Sequence, residues 1–321
     1  MNKLSSRELI TGTDDYIVTI AIGDKYYSDW EKFSSSFWLD YCKKFNLGLL
    51  IIRADIIDQS NTHWKKATWQ KFLLGEYMQL HFPNIKRICY LDTDILISPL
   101  APNIFDFHQD GCMSLVSLFN GLPYDRSETI EKLTWFRNQS SEGKYPLDSA
   151  IYMSIADLYD YHNLPAQNDY ACAGMFIMEV AIHSKVMNQF FFEIDKNIST
   201  ITNGGDQTHF NFMAQNNFTI NWLPYKFQSI WSYEAANYYP SVFFDQYSDI
   251  SYLSIQNSLV NKYFLHFAGG WNECQQWKDH RIAQEAILLG NISSLIAYQN
   301  YGTKSGRPVG HVKFQIDLGK N

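Results

Sequence analysis

The sequence predicts an α/β protein built on a mostly parallel, twisted sheet with helices on its faces. Three observations predict it. Apolar runs at residues 16–22, 47–52 and 88–97 have the length of strands. Residues 29–45 and 64–80, which separate those runs, carry aromatic and apolar side chains at helical spacing. Turn chemistry closes the runs, with Gly23-Asp24 after the first and Ser98-Pro99 after the third. Alternating strands and helices make successive strands parallel, and sheets of this kind hold ligands outside the carboxyl ends of their strands.

Taken in order, Tyr-Ile-Val-Thr-Ile-Ala-Ile from Tyr16 is a buried strand that opens a strand, loop, helix unit. The run at 47–52 is the second strand. Trp69, Phe72, Leu73 and Tyr77 share one face of the helix that follows, which Pro83 ends. Ile88 to Ile97 reads as the third strand. Between Phe119 and Tyr170 the pattern gives way to polar, aromatic and turn-forming residues, an insertion or a partner-facing region. An apolar run at 171–178 restores it. A helix over about 184–196, a Gly204-Gly205 turn, a helix over 207–216 and strands near 218–223 and 263–267 complete the chain.

Length and composition bound the function. The chain has 321 residues, 46% of them hydrophobic, and 33 acidic against 26 basic side chains, for a formal charge of −7. That is enough chain for a sizeable core, and the acidic balance lacks the basic field that collects phosphates of nucleic acid. Nucleic acid is therefore set aside as a partner. Cys42, Cys89, Cys112, Cys172 and Cys274 are far apart, without a Cys-x-x-Cys pair, which disfavours a zinc cluster or disulfide framework. With no apolar stretch long enough for a signal peptide or membrane span, the expected compartment is the cytoplasm. The four Asn-x-Ser/Thr sequences, at Asn138, Asn197, Asn217 and Asn291, then carry little weight.

The sharpest chemical feature is Asp92-Thr93-Asp94, set in the apolar run 88–97. Period two along this strand puts both carboxylates on one face. Carboxylates so placed are costly unless paired or bound to metal, and oxygen ligands suit a hard divalent ion that bridges phosphates. A turn or a helix cap is the plainer alternative.

Residues 87–105, Arg-Ile-Cys-Tyr-Leu-Asp-Thr-Asp-Ile-Leu-Ile-Ser-Pro-Leu-Ala-Pro-Asn-Ile-Phe, resemble the Asp-x-Asp segment of GT-A fold glycosyltransferases. The likeness is to family 8 in particular, which includes glycogenin and bacterial galactosyl- and glucosyltransferases. Cys172-Ala-Gly-Met-Phe-Ile-Met178 and Gly204-Gly-Asp-Gln-Thr-His-Phe-Asn211 are similar to that family's Asn-Ala-Gly-x-Phe and Gly-Asp-Gln-x-x-x-Asn pair. Leu223-Pro-Tyr-Lys226 and Leu265-His-Phe-Ala-Gly269 resemble its later Leu-Pro and His-Phe-x-Gly elements. These matches keep their order over roughly residues 16–270.

The resemblance implies a GT-A fold and a retaining, metal-dependent hexosyl transfer from a UDP-sugar to a hydroxyl on a carbohydrate acceptor. It implies one domain over 1–321, with a nucleotide-binding half at 16–118, an acceptor and catalytic half at 119–275, and a helical or tail segment at 276–321. Asp92, Asp94 and His266 become ligands of a Mn2+ or Mg2+ ion that holds the diphosphate, and Thr93 and Gly269 join them among the nucleotide-sugar-binding residues. Ala21, Ile22, Gly23 and Asp24 fall where the family grips nucleobase and ribose, with Tyr26 or Tyr27 to stack on the base. Cys172, Ala173 and Gly174 fall beside the donor sugar, as does Lys71. Asp206 and Gln207 fall beside the pyranose ring and anomeric carbon, as the catalytic pair.

Each assignment has a plainer rival in the residues themselves. His266 could be a core histidine bonded to backbone, and Gly23 a simple turn. Lys71 could lie on a solvated helix face, as Lys65 and Lys66 suggest. Asp206 could cap the helix that follows it. Two departures from the family bear on the donor. Cys172 stands where an amide-bearing asparagine is usual, and the lysine that follows the family's glycine is missing, so Lys278 or Arg281 would have to replace it. These departures keep open two alternatives: a GT-A enzyme of another family, inverting or GDP-sugar-using, and a nucleotide-sugar-binding module without turnover. Trp135, Trp231, Trp271 and Trp277 suit stacking on acceptor sugars. From Asn300 the tail carries Lys304, Arg307, Lys313 and Lys320 against Asp317, a basis for weak peripheral contact with anionic membrane.

Overall fold

The computed structural model describes residues 6–140, 150–195, 197, 206–244 and 249–284. Through these the chain runs β1 (Ser6–Ile10), β2 (Asp15–Ile20), α1 (Asp24–Phe33), α2 (Ser35–Phe45), β3 (Gly48–Ile52), α3 (Leu74–His81), β4 (Arg87–Leu91) and β5 (Ile95–Ile97). It continues through β6 (Met113–Val116), α4 (Arg126–Ser140), α5 (Ile155–Tyr161), β7 (Met175–Glu179), α6 (Val180–Glu193), α7 (Gln207–Asn217), β8 (Ile220–Leu223) and β9 (Ser229–Ile230). Last come α8 (Trp231–Tyr238), α9 (Asp249–Asn261), β10 (Phe264–His266) and α10 (His280–Gln284).

Seven strands form one sheet in the order β1-β3-β2-β4-β7-β6-β8, and three form a second in the order β5-β10-β9. The expected α/β sheet with flanking helices is present, and its pairing is mixed. Neighbours β3–β2, β2–β4 and β6–β8 are parallel, whereas β1–β3, β4–β7 and β7–β6 are antiparallel.

Central strands covered on both faces read as unbroken apolar runs, and their alternate residues divide between two cores. Ile17, Leu49, Ile51, Cys89, Leu91, Met175 and Ile177 face a core closed by the aromatic sides of α1 and α2 and by the small sheet. Val18, Leu50, Ile52, Ile88, Tyr90, Phe176 and Met178 face the other, closed by Trp69, Phe72, Tyr77 and residues of α6 and α7.

Several expectations are corrected in detail. The third strand is two: β4 ends at Leu91, Asp92-Thr93-Asp94 forms a turn closed by Ile95 N donating to Asp92 O at 3.3 Å, and β5 belongs to the small sheet. Solvation of the two carboxylates outweighs the pleat here. The helix over 29–45 is broken at buried Ser34, whose hydroxyl donates to Thr93 O at 3.2 Å. Residues Ala67–Leu73 wind as a 3-10 helix before α3. The irregular region at 119–170 contains α4 and α5, the latter opened by a Ser154–Asp157 capping box. Trp231 and Trp277 are core residues, while Trp135 is 55% exposed. Strand β1, an edge strand along β3, had no apolar signal. All five cysteines are free and buried. Among the described residues no helix is long and apolar enough to cross a membrane. The Gly204-Gly205 turn and the basic tail from Asn300 lie outside the described residues.

Candidate functional site

The site is built where the parallel strands β2 and β4 end and the antiparallel β7 begins. Tyr90 pairs with Val18 and Phe176, and Leu91 with Met175, so residues 21–24, 92–94 and 172–174 share one edge of the sheet. Asp92 N donates to Gly174 O at 2.8 Å, fixing the two loops together. The small sheet supplies the third component: β10 runs antiparallel to β5 with His266 opposite Ile95, and Phe267 N donates to Asp94 O at 3.1 Å.

The carboxylates and the imidazole therefore converge through a turn and the long-range antiparallel pair β5–β10, not through one pleat. One oxygen each of Asp92 and Asp94 and a ring nitrogen of His266 lie within 4.8 Å of one another. His266 Nε2 is 3.2 Å from Asp94 Oδ1 and 3.9 Å from Asp92 Oδ2. The imidazole is buried, whereas the two carboxylate side chains are 28% and 36% exposed, so the group opens to one side. Tyr90, whose hydroxyl donates to Asp92 Oδ1 at 2.6 Å, leaves Oδ2 facing the histidine.

Three observations fit this group to a divalent ion. Its donor set is two carboxylates and an imidazole, a set that divalent metals accept. Asp94 Oδ1 is buried without a hydrogen bond. Gly174 leaves the space open: a Cβ there would lie 2.4 Å from His266 Cε1 and 2.6 Å from Asp92 Oδ2. On the far side of the ring, His266 Nδ1 is 3.3 Å from the Gln228 amide and 3.6 Å from Cys172 Sγ. Gln228 Oε1 is buried without a partner. A half-turn of that amide would let its oxygen accept a hydrogen bond from Nδ1–H, leaving Nε2 as the ligand atom.

Without a metal ion, burial would lower the His266 pKa, but Cys172 and Asp94 against its ring hold it well above the ordinary imidazole value. For Asp94 burial works upward, and the facing imidazolium overcomes it and lowers the carboxyl pKa. Burial, reinforced by the charge of Asp92, raises the Tyr90 phenol well above its usual range, so it remains a donor.

A second charged pair stands beside the first group. Lys71, on the 3-10 helix, is 3.0 Å from Asp206 Oδ2, with both side chains under a tenth exposed. Its ammonium also donates to Ala173 O at 2.8 Å and lies 5.0 Å from the Tyr90 ring centroid. Lys71 is thus no surface lysine. Burial pulls its pKa down and the charge of Asp206 more than restores it, so the ammonium is retained. Burial raises the pKa of Asp206 against the pull of Lys71. Asp206 makes no side-chain cap to α7.

Gln207 opens α7 half-buried, and its Oε1 accepts from Ala173 N at 3.4 Å. Asn211, one turn on, clamps the neighbouring backbone by accepting from Ala171 N at 2.7 Å and donating to Ala171 O at 2.8 Å. At the end of β2, Ala21 is buried and its N donates to Ile52 O at 2.8 Å, while Gly23 and Asp24 are exposed. Gly23 adopts φ +94°, a conformation that suits glycine, and Ile22 is half-buried. Tyr27 is buried with Arg53 over its ring at 3.7 Å, whereas Tyr26 is 61% exposed. Gly269, at φ +113°, follows the small sheet and is exposed. Of the two cations expected to replace the family lysine, Lys278 lies 2.7 Å from Asp29 with its charge also reaching Asp94, and Arg281 lies 2.6 Å from Asp249.

The structure adds Tyr90 and Gln228 to the site and gives Asn211, the last residue of the matched stretch 204–211, its place against Ala171. Tyr90 was legible in principle, two residues before Asp92 on the same face of β4. Gln228 had no signal, because it reaches His266 only through the parallel pairing of β9 with β10.

No protein-family model matches the sequence, and no curated protein does. Among solved structures, the chain is similar to a glycosyltransferase involved in the glycosylation of the major capsid of PBCV-1, at 10% identity and TM-score 0.46, over 83% of this chain and 99% of that one. It is similar to the galactosyltransferase LgtC in complex with donor and acceptor sugar analogues, at 14% identity and TM-score 0.46, over 86% and 95%. A third is the glycosyltransferase GlyE of Streptococcus pneumoniae TIGR4, at 11% identity and TM-score 0.43, over 93% and 66%.

Proposed function

We propose that the chain is a metal-dependent glycosyltransferase of GT-A type, resembling family 8, that moves a hexose from a UDP-sugar to a carbohydrate hydroxyl with retention of configuration. The observation that carries this reading is the convergence of Asp92, Asp94 and His266 around the space that Gly174 leaves open. Mn2+ or Mg2+ held by these three residues would neutralise charge on a leaving nucleoside diphosphate.

The remaining roles belong to the protein's own groups. Tyr90 and Gln228 orient Asp92 and His266. The loop 21–24, with exposed Tyr26 beside it, suits the nucleobase and ribose. Lys71 holds Asp206 and the Ala173 carbonyl in fixed positions, so a donor sugar beside them meets dipoles and charges that need no reorganisation. Gln207, tied to Ala173 N, is the side chain in this reading that faces the anomeric centre. Cys172 occupies the side of His266 away from the carboxylates, so its thiol serves the histidine more directly than a sugar.

A panel of UDP- and GDP-sugars, assayed with and without Mn2+, tests the reading. The expected result is Mn2+-dependent release of UDP from one UDP-hexose. Binding of a UDP-sugar without any release would make the chain a binding module, and release of GDP would overturn the donor assignment.

A further inference from the structure

We propose a second divalent-metal site, formed by His108, Asp110 and Glu179 at the opposite end of the sheet and suited to Zn2+. It is independent of the catalytic reading. Glu179 ends β7 opposite Arg87, the first residue of β4, whereas Asp92 follows the last, so roughly 16 Å of strand separates the two groups.

One ligand atom from each of His108, Asp110 and Glu179 lies within 4.8 Å of the others. Among the described residues this group and that of Asp92, Asp94 and His266 are the two with such geometry. The histidine is held as a ligand is held. Its side chain is fully buried, and Nδ1 lies 2.7 Å from Ser114 Oγ on β6, leaving Nε2 to face Glu179 Oε1 at 3.4 Å. Ser114 is itself fixed by Asn221, its register partner on β8, whose amide donates to Ser114 Oγ at 3.1 Å and to Phe107 O at 2.8 Å. A partner behind one ring nitrogen that aims the other is the support metal-bound histidines usually have. Glu179 is oriented by the backbone N–H of Gly111, which donates to Oε1.

The surrounding charge favours a cation. Lys86, Arg87 and His183 are basic groups at this end, and the Lys86 ammonium lies 2.6 Å from Asp14. Asp15 engages the Arg87 guanidinium through two bonds, at 2.6 and 2.7 Å, and His183 Nδ1 sits 3.0 Å from the Glu179 backbone. The Arg87 guanidinium therefore offsets part of the charge of Asp15, Asp110 and Glu179, and the group keeps a net negative charge that a divalent cation would neutralise. One imidazole and two carboxylates, with a fourth position for water, make a zinc-type donor set; the imidazole favours Zn2+ over Mg2+ or Ca2+. Bound there, the ion would tie the turn at 108–111 to the end of β7.

Equilibrium dialysis of the full chain against Zn2+ alone at pH 7.5 tests this, in a background where Asp92→Asn and Asp94→Asn disable the other group. The expected result is one equivalent of Zn2+, with affinity reduced at least tenfold by Asp110→Asn and more by Glu179→Gln. Asp110 is exposed, so its variant keeps the fold while losing a ligand. No binding in that background would make His108–Glu179 a hydrogen-bonded pin and overturn the site. Binding unchanged by Asp110→Asn and Glu179→Gln would overturn it equally.

Discussion

Asp206 stands at the start of a helix and does not cap it; its carboxylate is turned back 3.0 Å from the ammonium of Lys71, 135 residues earlier in the chain. The pair links the 3-10 helix to the first turn of α7. Through Ala173 O it reaches the loop that carries Gly174. Removing one partner strands the other charge in a dry site, at a cost of about 3–5 kcal/mol, whereas replacing both with apolar groups costs much less. Urea unfolding of Asp206→Leu, Lys71→Met and the double variant measures this. Each single variant should lose that much and the double distinctly less. Additive losses would mean the two side chains act separately.

Gly174→Ala should impair metal binding more than folding. Its Cβ would press on His266 Cε1 and Asp92 Oδ2, both at the proposed ligand group, while the backbone loses no hydrogen bond. Displacing ligand side chains or their supports typically costs about 10–100-fold in metal affinity. Mn2+ titration by electron paramagnetic resonance gives the answer, and unchanged affinity would mean that the ion, if bound, lies elsewhere.

The pH dependence follows from His266 and Asp94. In the metal-free protein the His266 pKa is raised, so its contribution to stability is full below about pH 6.5 and is lost as pH rises through the folded value. The Asp94 pKa is lowered, so its contribution is present above about pH 4 and is lost as pH falls through the folded value. Between those limits the ion pair stabilises the metal-free fold most. A metal that takes His266 Nε2 must then displace a proton. Calorimetry of Mn2+ binding at pH 7 in buffers of different ionisation enthalpy should show release of about one proton. No release would mean that His266 is already neutral or is not a ligand.

Gln207→Ala should lower kcat with little change in UDP-sugar affinity, because a group beside the anomeric carbon meets charge that develops only as the nucleotide departs. Loss of one such oriented dipole costs on the order of 10²–10³ in rate where water is excluded. A loss of donor affinity at unchanged kcat would make Gln207 a ground-state binding residue. No change in either would leave it as a bracket for Ala173 N.

The sequence was most legible where one strand carries its own signal. The apolar runs that became β2, β3 and β4 announced themselves because both faces of each are buried, and Asp92-Thr93-Asp94 stood out because two carboxylates interrupt such a run. The run itself hid the break between β4 and β5, since Ile95–Ile97 is as buried as the strand before it and only its pairing with β10 places it in another sheet. Nothing local distinguishes exposed Lys66 from Lys71, whose partner lies 135 residues away, or from Lys65, which is also buried and donates to Phe191 O at 2.7 Å. The antiparallel entry of β7 and the contact of Gln228 with His266 are likewise products of long-range pairing. Residue types pointed to Asp92, Asp94 and His266, which the fold brings together; the side chains that support them were visible only in the assembled fold.

The central claim is that Asp92, Asp94 and His266 hold a divalent ion required for departure of the nucleoside diphosphate. The rate of Mn2+-dependent UDP release by Asp94→Asn, compared with the unaltered chain on the UDP-hexose it uses, tests it most directly. This substitution removes the charge at a ligand position and hardly changes volume. The account predicts release abolished at every Mn2+ concentration in a protein that still folds. Undiminished release at saturating Mn2+ would contradict it.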